Sequence, residues 1–523
     1  MKKLLDSRQA KELDRYSIQE FGMESLILME RAALAAAGEI KKLPGSGRRV
    51  FFMAGTGNNG ADGLAAARIL TQSGWYAEIW VVGDRSRATK EWSYQEKLVN
   101  KLGIQIRQWQ DGSRIPDGFD VYVDALFGIG LSRAPGGAFL DAIQSFNETA
   151  GRNTQSRSVA IDISSGVRAD DGFVFNTAVK ADVTVTFGYE KAGHRLYPGA
   201  DFGGTVKTYE IGFAPLQDAK PGPVLYALDE ADAGRMLGAR RPDGNKGTFG
   251  QVLVIAGADG MAGAACFAAE AAYRVGAGLV KVYTAKQNRP VLQQRLPEAV
   301  LLNSVAELEE AEHHAKAIVI GPGLSKSSRA AEILNRILAG HGQVPVVIDA
   351  DGLNLLAEEA PKDLGKRVIL TPHPGELARL LNNAIADLKD EGLRSAASRL
   401  QNGFGTVCVC KDARTVIRTS NGQEYLNLTG NCGMAVGGSG DVLAGMIGGL
   451  LAQGMEPDRA AVLGTWLHGA AGDAAAEAVG MYGMTASDLL AGIAPVMKRI
   501  SRRISDIAAA DRNEMQKEKG ELL

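Results

Sequence analysis

The 523-residue sequence predicts two α/β domains in tandem, each a parallel sheet with helices on both faces. Short runs of Val, Ile, Leu and Phe alternate with helix-length segments through both halves, and glycine-rich turns follow several of these runs. A proline-rich stretch without periodicity, residues 214–223, separates the two series. A chain this long exceeds one ordinary core, so two are expected. The formal net charge of −2 argues against a nucleic-acid or membrane-surface protein, and no apolar run reaches the length of a membrane span. The string Met1-Lys2-Lys3-Leu4-Leu5-Asp6 has no core like a secretion signal, which predicts a cytoplasmic protein. Four cysteines, Cys266, Cys408, Cys410 and Cys432, are too scattered for a disulfide framework. Cys408 and Cys410, two apart on an expected strand, read as small buried residues.

In the first half, residues 7–20 and 24–40 read as helices that precede any strand. Residues 49–54 are the first expected strand and run into Gly55-Thr56-Gly57-Asn58-Asn59-Gly60-Ala61-Asp62-Gly63, which opens a helix through Leu70. The first six of these fit G-x-G-x-x-G between strand and helix, so a Rossmann-like, phosphate-cradling loop in a three-layer sandwich is expected. Strands follow at residues 77–82, 121–124, 159–162, 183–187 and 206–211. Ligands of such sheets sit at the carboxyl ends of strands. Those ends carry Asn58 to Asp62, then Asp124 with Gly128 and Gly130, then Asp162 with Ser164 and Ser165. Two carboxylates, an amide and a hydroxyl supply hard oxygen ligands for a cation; the plainer reading makes Asp124 and Asp162 loop caps.

The second half restarts with a strand at residues 251–256, a helix at 262–275, and strands at 279–283, 317–320, 345–349, 367–370 and 406–411. Gly321-Pro322-Gly323 is a tight turn where backbone can approach a ligand, and Asp349-Ala350-Asp351 places two carboxylates after a strand. In Thr371-Pro372-His373-Pro374-Gly375-Glu376 the prolines fix the backbone around His373, and Glu376 suits the waters of a magnesium ion bridging nucleotide phosphates. Residues 411–415, Lys411-Asp412-Ala413-Arg414-Thr415, join two expected strands and offer phosphate donors. Gly437, Gly438 and Gly440 then open a helix whose positive end makes a seat for phosphate oxygens. Asp441, at the mouth of that seat, is placed to take a proton from an attacking hydroxyl, although an Asp in a first helical turn is often only a cap. His468 reads as helix packing, His313 and His314 as solvated surface, and residues 485–488 as a capping box opening the last helix. Beyond Ile507 the chain turns charged and is expected to fray.

The string Gly430-Asn431-Cys432-Gly433-Met434-Ala435 with Gly437-Gly438-Ser439-Gly440-Asp441 resembles the signature of the ADP- or ATP-dependent NAD(P)H-hydrate dehydratases, a branch of the ribokinase-like fold. Cys432 stands where proline is usual and Ser439 where threonine is. The likeness runs from Lys246 to about Asp488. It implies that Ala264, Gly323, His373 and Asp441 contact the hydrate, and that Lys411, Asp412, Ala413, Arg414, Thr415 and Gly440 contact the adenine nucleotide. The first half, from Leu28 through Lys191 to Gly212, resembles the YjeF amino-terminal family, the NAD(P)H-hydrate epimerases; Ala61 replaces a frequent glycine and Ser164 a common proline. That resemblance implies potassium on Asn59, Asp124 and Ser165. It also implies a hydrate pocket lined by Asn58, Asn59, Gly60, Ala61 and Asp62, by Gly128, Ile129, Gly130, Leu131, Ser132, Arg133 and Ala134, and by Asp162. Asp162 is the choice for proton transfer there, because interconverting epimers at the hydrated carbon needs a base nearby.

Together these imply an epimerase domain over residues 1–213, a linker over 214–225, a dehydratase domain over 226–505 and a charged tail over 506–523. The chain is then expected to interconvert the R and S hydrates of NADH and NADPH and to dehydrate the S form with ADP, releasing AMP and phosphate. Potassium and magnesium are the implied ions, and a homo-oligomer is expected. Two alternatives stay open: a vitamin-precursor kinase, which leaves the front half unexplained, and a front half that only binds or scaffolds.

Overall fold

The computed structural model describes residues 1–43, 47–152, 154–340, 343–358 and 363–521. The chain divides into two units, Lys3–Leu225 and Tyr226–Leu523 with Met1 and Lys2.

The first unit is built on seven strands in the order Gln105–Gln108, Tyr76–Val81, Arg49–Ala54, Val121–Ala125, Arg157–Ile161, Val183–Phe187, Thr205–Tyr209. Every neighbouring pair is parallel. Arg49–Ala54 shows why its run is apolar at successive positions: Val50, Phe52 and Ala54 enter one core and Phe51 and Met53 the other. Chain order reverses between Arg49–Ala54 and Val121–Ala125, so the loops leaving these two strands part and open a crevice at their carboxyl ends. Helix Asn58–Gln72 starts in that crevice and lies close on the sheet, since a Cβ at Gly63 would sit 2.6 Å from that of Ala125.

Contrary to the expectation of helices first, a strand, Lys2–Leu5, precedes them, its Leu4 and Leu5 paired with Glu190 and Lys191. Two of its four residues are lysines, so no apolar run announced it.

In the second unit the parallel strands run Val300–Leu302, Leu279–Tyr283, Gln251–Ile255, Ala317–Ile320, Val346–Ile348, Val368–Leu370, Val407–Cys410. Antiparallel Val416–Arg418 and Glu424–Leu426 extend the sheet, and Tyr226 pairs in parallel with Tyr425. The reversal here falls between Gln251–Ile255 and Ala317–Ile320, and the turns after them are stitched together by Gly257 N–H donating to Pro322 O at 2.9 Å. Helix Ser439–Ala452, apolar nearly all round, lies between the sheet and helix Ala262–Arg274. Its glycines allow that: a Cβ at Gly445 would stand 2.1 Å from Ala268 O and one at Gly448 2.3 Å from Val319. The last helix, Ala486–Glu521, carries on through the charged stretch where fraying was expected. Residues 522 and 523 of that tail lie outside the described residues.

Candidate functional sites

At the crevice of the first unit a cavity of about 510 Å³ takes in Asn58, Asn59, Asp62, Gly128, Ile129, Gly130, Leu131 and Asp162. Gly60 and Ala61 are buried in the helix behind it, and Ser132, Arg133 and Ala134 are exposed and do not line it. Asp162 ends strand Arg157–Ile161 with φ 65°, a left-handed turn uncommon for a side chain larger than glycine. Its Oδ1 accepts hydrogen bonds from Lys191 Nζ at 2.5 Å and Thr186 Oγ1 at 3.0 Å. Burial alone would raise the Asp162 carboxyl, but the Lys191 ammonium outweighs it and holds the group below its ordinary value. His194 takes the Lys191 backbone N–H on Nδ1 at 3.1 Å, so the proton on Nε2 goes to Asp162 O at 2.9 Å. Burial pushes this imidazole down to about 4, which keeps it neutral.

The same cavity is lined by Asp14 and Asp62, both pushed up, first by burial and then by neighbouring carboxylates including Asp162. One cavity therefore holds a carboxylate shifted toward the ionised form and two shifted toward the protonated form, a contrast suited to moving protons on a substrate. Asp14, Thr186, Lys191 and His194 had no role in the sequence reading. Asp14 lies on helix Ser7–Gln19, whose pattern signals only amphipathicity, and Lys191 meets Asp162 across 29 residues.

Beside this cavity Asp124 is fully buried. Its Oδ1 accepts from Ser165 Oγ at 2.7 Å and from Leu126 N–H at 3.1 Å, and its Oδ2 accepts from Ser165 N–H at 2.7 Å. Burial lifts this carboxyl to about 6 against those bonds. Both polar atoms of the Asn59 side chain are buried with no partner among the described residues. An orphaned amide and a buried carboxylate met only by neutral donors fit a small cation.

The second constellation lies at the carboxyl ends of three adjacent strands and the start of helix Ser439–Ala452. Asp349, 1% exposed, follows Val346–Ile348; Thr371 follows Val368–Leu370; Lys411 follows Val407–Cys410. Lys411 Nζ and Thr371 Oγ1 both donate to Asp349 Oδ1, each at 2.7 Å. A Cβ at Gly440 would come within 3.1 Å of Lys411 Nζ, so glycine is what lets the ammonium reach the helix mouth. Asp441 follows in the first helical turn, and its carboxyl is pushed up to about 7 by burial and then by Asp349, with Lys411 pulling down and Asp351 and Glu376 pushing up. Gly438, at φ 93°, starts the helix where a Cβ would stand 2.6 Å from the Phe267 ring.

Gly323 and Ala264 are brought together, 3.0 Å separating the Ala264 Cβ from a Cβ built on Gly323. His373 caps helix Pro374–Leu380: its Nδ1 accepts from Gly375 N–H at 3.0 Å, and Glu376 Oε2 accepts from His373 N–H at 2.8 Å. That reciprocal box occupies half of the chemistry read as ligand contact and leaves Glu376 Oε1 and His373 Nε2, 3.4 Å apart, facing each other. Burial lifts the Glu376 carboxyl to about 7. In the hairpin turn, Arg414 donates to Leu428 O at 3.1 Å and Asp412 accepts from Ala413 N–H at 2.8 Å, so both support the turn. His468, as expected, packs between helices, its Nε2 2.9 Å from Ser439 O. Among the described residues no three His, Cys, Asp or Glu side chains cluster as a metal site, and no helix is long and apolar enough to cross a membrane.

The family described as YjeF-related protein N-terminus matches residues 25–193, and the one described as NAD(P)H-hydrate dehydratase matches residues 252–495. A bifunctional NAD(P)H-hydrate repair enzyme of Moorella thermoacetica is 36% identical over 97% of this chain and 99% of that one. One of Escherichia coli is 33% identical over 91% of this chain and 90% of that one. Among solved structures, an ADP/ATP-dependent NAD(P)H-hydrate dehydratase from Bacillus subtilis, co-crystallised with ATP and magnesium, matches 53% of this chain and 99% of its own at 32% identity, with a TM-score of 0.48.

Proposed function

The chain belongs to the family of bifunctional NAD(P)H-hydrate repair enzymes, and from that premise we propose which of its residues carry the two activities and what they use. It is an NAD(P)H-hydrate epimerase and an NAD(P)H-hydrate dehydratase in one chain.

In the dehydratase half Asp441 is the general base. It removes the proton from the hydroxyl of the S hydrate while the hydroxyl oxygen attacks the terminal phosphorus of ADP and the bond to AMP breaks. The glycine seat and Lys411 hold the charge that develops on the transferring oxygens. Hydroxide leaves poorly and phosphate well, so the phosphorylated carbon then loses phosphate with its bonding pair, a neighbouring carbon gives up a proton, and the reduced ring is restored. The observation that carries this reading is the half-buried Asp441 carboxyl directly after Gly440, whose backbone lies against the fixed Lys411 ammonium. Glu376 Oε1, with Oε2 already committed to His373, suits the waters of a magnesium ion, which would supply positive charge to the nucleotide phosphates.

In the epimerase half Asp162 is the base at the hydrated carbon, and Asp62, raised by burial in the same cavity, is a proton donor. Asn59, Asp124 and Ser165 fit potassium, which would supply a fixed positive charge at the pocket rim. A cytoplasmic homo-oligomer, with units meeting within residues 214–225, completes the reading. The test is direct: ADP added to NADPH hydrate regenerates the absorbance of the reduced nicotinamide with one phosphate per turnover. A protein that phosphorylates a vitamin precursor and leaves the hydrate untouched would refute it.

A further inference from the structure

Lys411 stands between two carboxylates, and the structure shows which one holds it. Its ammonium donates to Asp349 Oδ1 at 2.7 Å, and the same oxygen accepts from Thr371 Oγ1 at 2.7 Å. Asp349 is 1% exposed, so this pair exchanges little with water. The charged groups acting on Asp441 are Asp349, Asp351, Glu376 and Lys411, and those raising Lys411 against its burial are Asp349, Glu376 and Asp441 itself. His373 and His468 are pushed toward the neutral form, first by burial and also by Lys411. A lysine released from Asp349 would be left to Glu376 and Asp441, and an aspartate drawn into an ion pair is a poor base.

We propose that Asp349 is a positioning residue of the transfer site: braced by Thr371, it keeps Lys411 against the Gly440 backbone and away from Asp441, so the seat holds its cation while the base stays free. Asp349 touches no reacting atom and acts through Lys411. The proposal rests on the reading of Asp441 as the base of phosphoryl transfer.

The test measures kcat and KM for ADP in dehydration of the S hydrate by the full chain, as a function of pH. Asp349→Asn keeps the shape and removes the charge. Its kcat should fall by about tenfold or more, with a much smaller change in KM. The acid limb of kcat should move to lower pH, because the Asp349 charge that raises Asp441 is gone and further as Lys411 turns to Asp441; Thr371→Val leaves that charge in place and isolates the second effect. Thr371→Val should move both quantities in the same direction by less, and Thr371→Ser, which keeps the hydroxyl, should restore them. If Asp349→Asn does not fold, the Thr371 pair carries the test. A loss of kcat with the acid limb unmoved and no rescue by serine would mean that Asp349 only supports the fold, and overturns the proposal. So would a parental profile in Asp349→Asn while Asp441→Ala is inactive. Full activity in Asp441→Ala would instead overturn the underlying reading.

Discussion

Taking the Asp441 carboxyl out of water holds it at about 7, so its proton leaves only as the pH rises through neutrality. Dehydration should therefore climb with pH to a plateau above about 7, which a kcat profile measures. The same shift acts on stability with the opposite sign. A carboxyl raised in the folded chain above its unfolded value near 4 contributes stability at low pH that is lost as the pH rises through the folded value. Asp441→Asn should thus lower kcat by about 10²- to 10⁴-fold, yet stabilise the second unit more at pH 8 than at pH 5, by on the order of 2 kcal/mol at the higher pH, as read by denaturant unfolding. At Asp162 the balance is reversed, because Lys191 holds the carboxylate ionised. Asp162→Asn should abolish conversion of the R hydrate while turnover of the S hydrate persists, as read by the fraction of a mixed hydrate repaired.

At the level of elements, helix Ser439–Ala452 reaches the active centre only because it lies almost in contact with helix Ala262–Arg274. Helix propensity alone says that Gly445→Ala should gain about 1 kcal/mol. The new methyl would stand 2.1 Å from Ala268 O, so the helices must part, and overpacking of about 1–3 kcal/mol wins. A lower melting temperature of the second unit, read by calorimetry, is the expected result. This helix and the central strands were legible because both faces of each bury apolar side chains. The edges were not: Gln105–Gln108 is polar, and Val300–Leu302 and Glu424–Leu426 are three residues each. The site divides in the same way. Acids beside glycines or at strand ends stand out in a single stretch, as Asp441 in a first helical turn and Asp162 after a strand do. Asp349 takes its part only by meeting Lys411 across 62 residues, a relation that no local pattern encodes. His373 and Glu376 show the converse, since a local pattern read as ligand contact is half spent on capping a helix.

At the scale of the whole molecule, each unit contains everything that its own chemistry requires. Every residue lining the epimerase cavity falls within Lys3–Leu225, and Asp349, Thr371, Lys411 and Asp441 all fall within Tyr226–Leu523. Each unit also has a core of its own, one around Phe52 and Leu64 and one around Val254 and Ile447. Neither set of assigned residues draws on the other unit, so the S hydrate should be released from one site and bound by the other. This has a consequence for mixtures of full-length variants. Asp162→Asn alone should stall on the R hydrate, and Asp441→Ala alone should interconvert the hydrates without restoring reduced cofactor. An equimolar mixture of the two should repair a mixed hydrate to completion, because the S form made on one molecule diffuses to the intact transfer site of another. Recovery of reduced-nicotinamide absorbance is the readout, and raising the protein concentration should leave the final yield unchanged while shortening the time to reach it. Failure of the mixture, with each variant retaining its own half-reaction, would mean that the S hydrate does not pass through solvent and that the two sites must sit on one chain to be of use to each other.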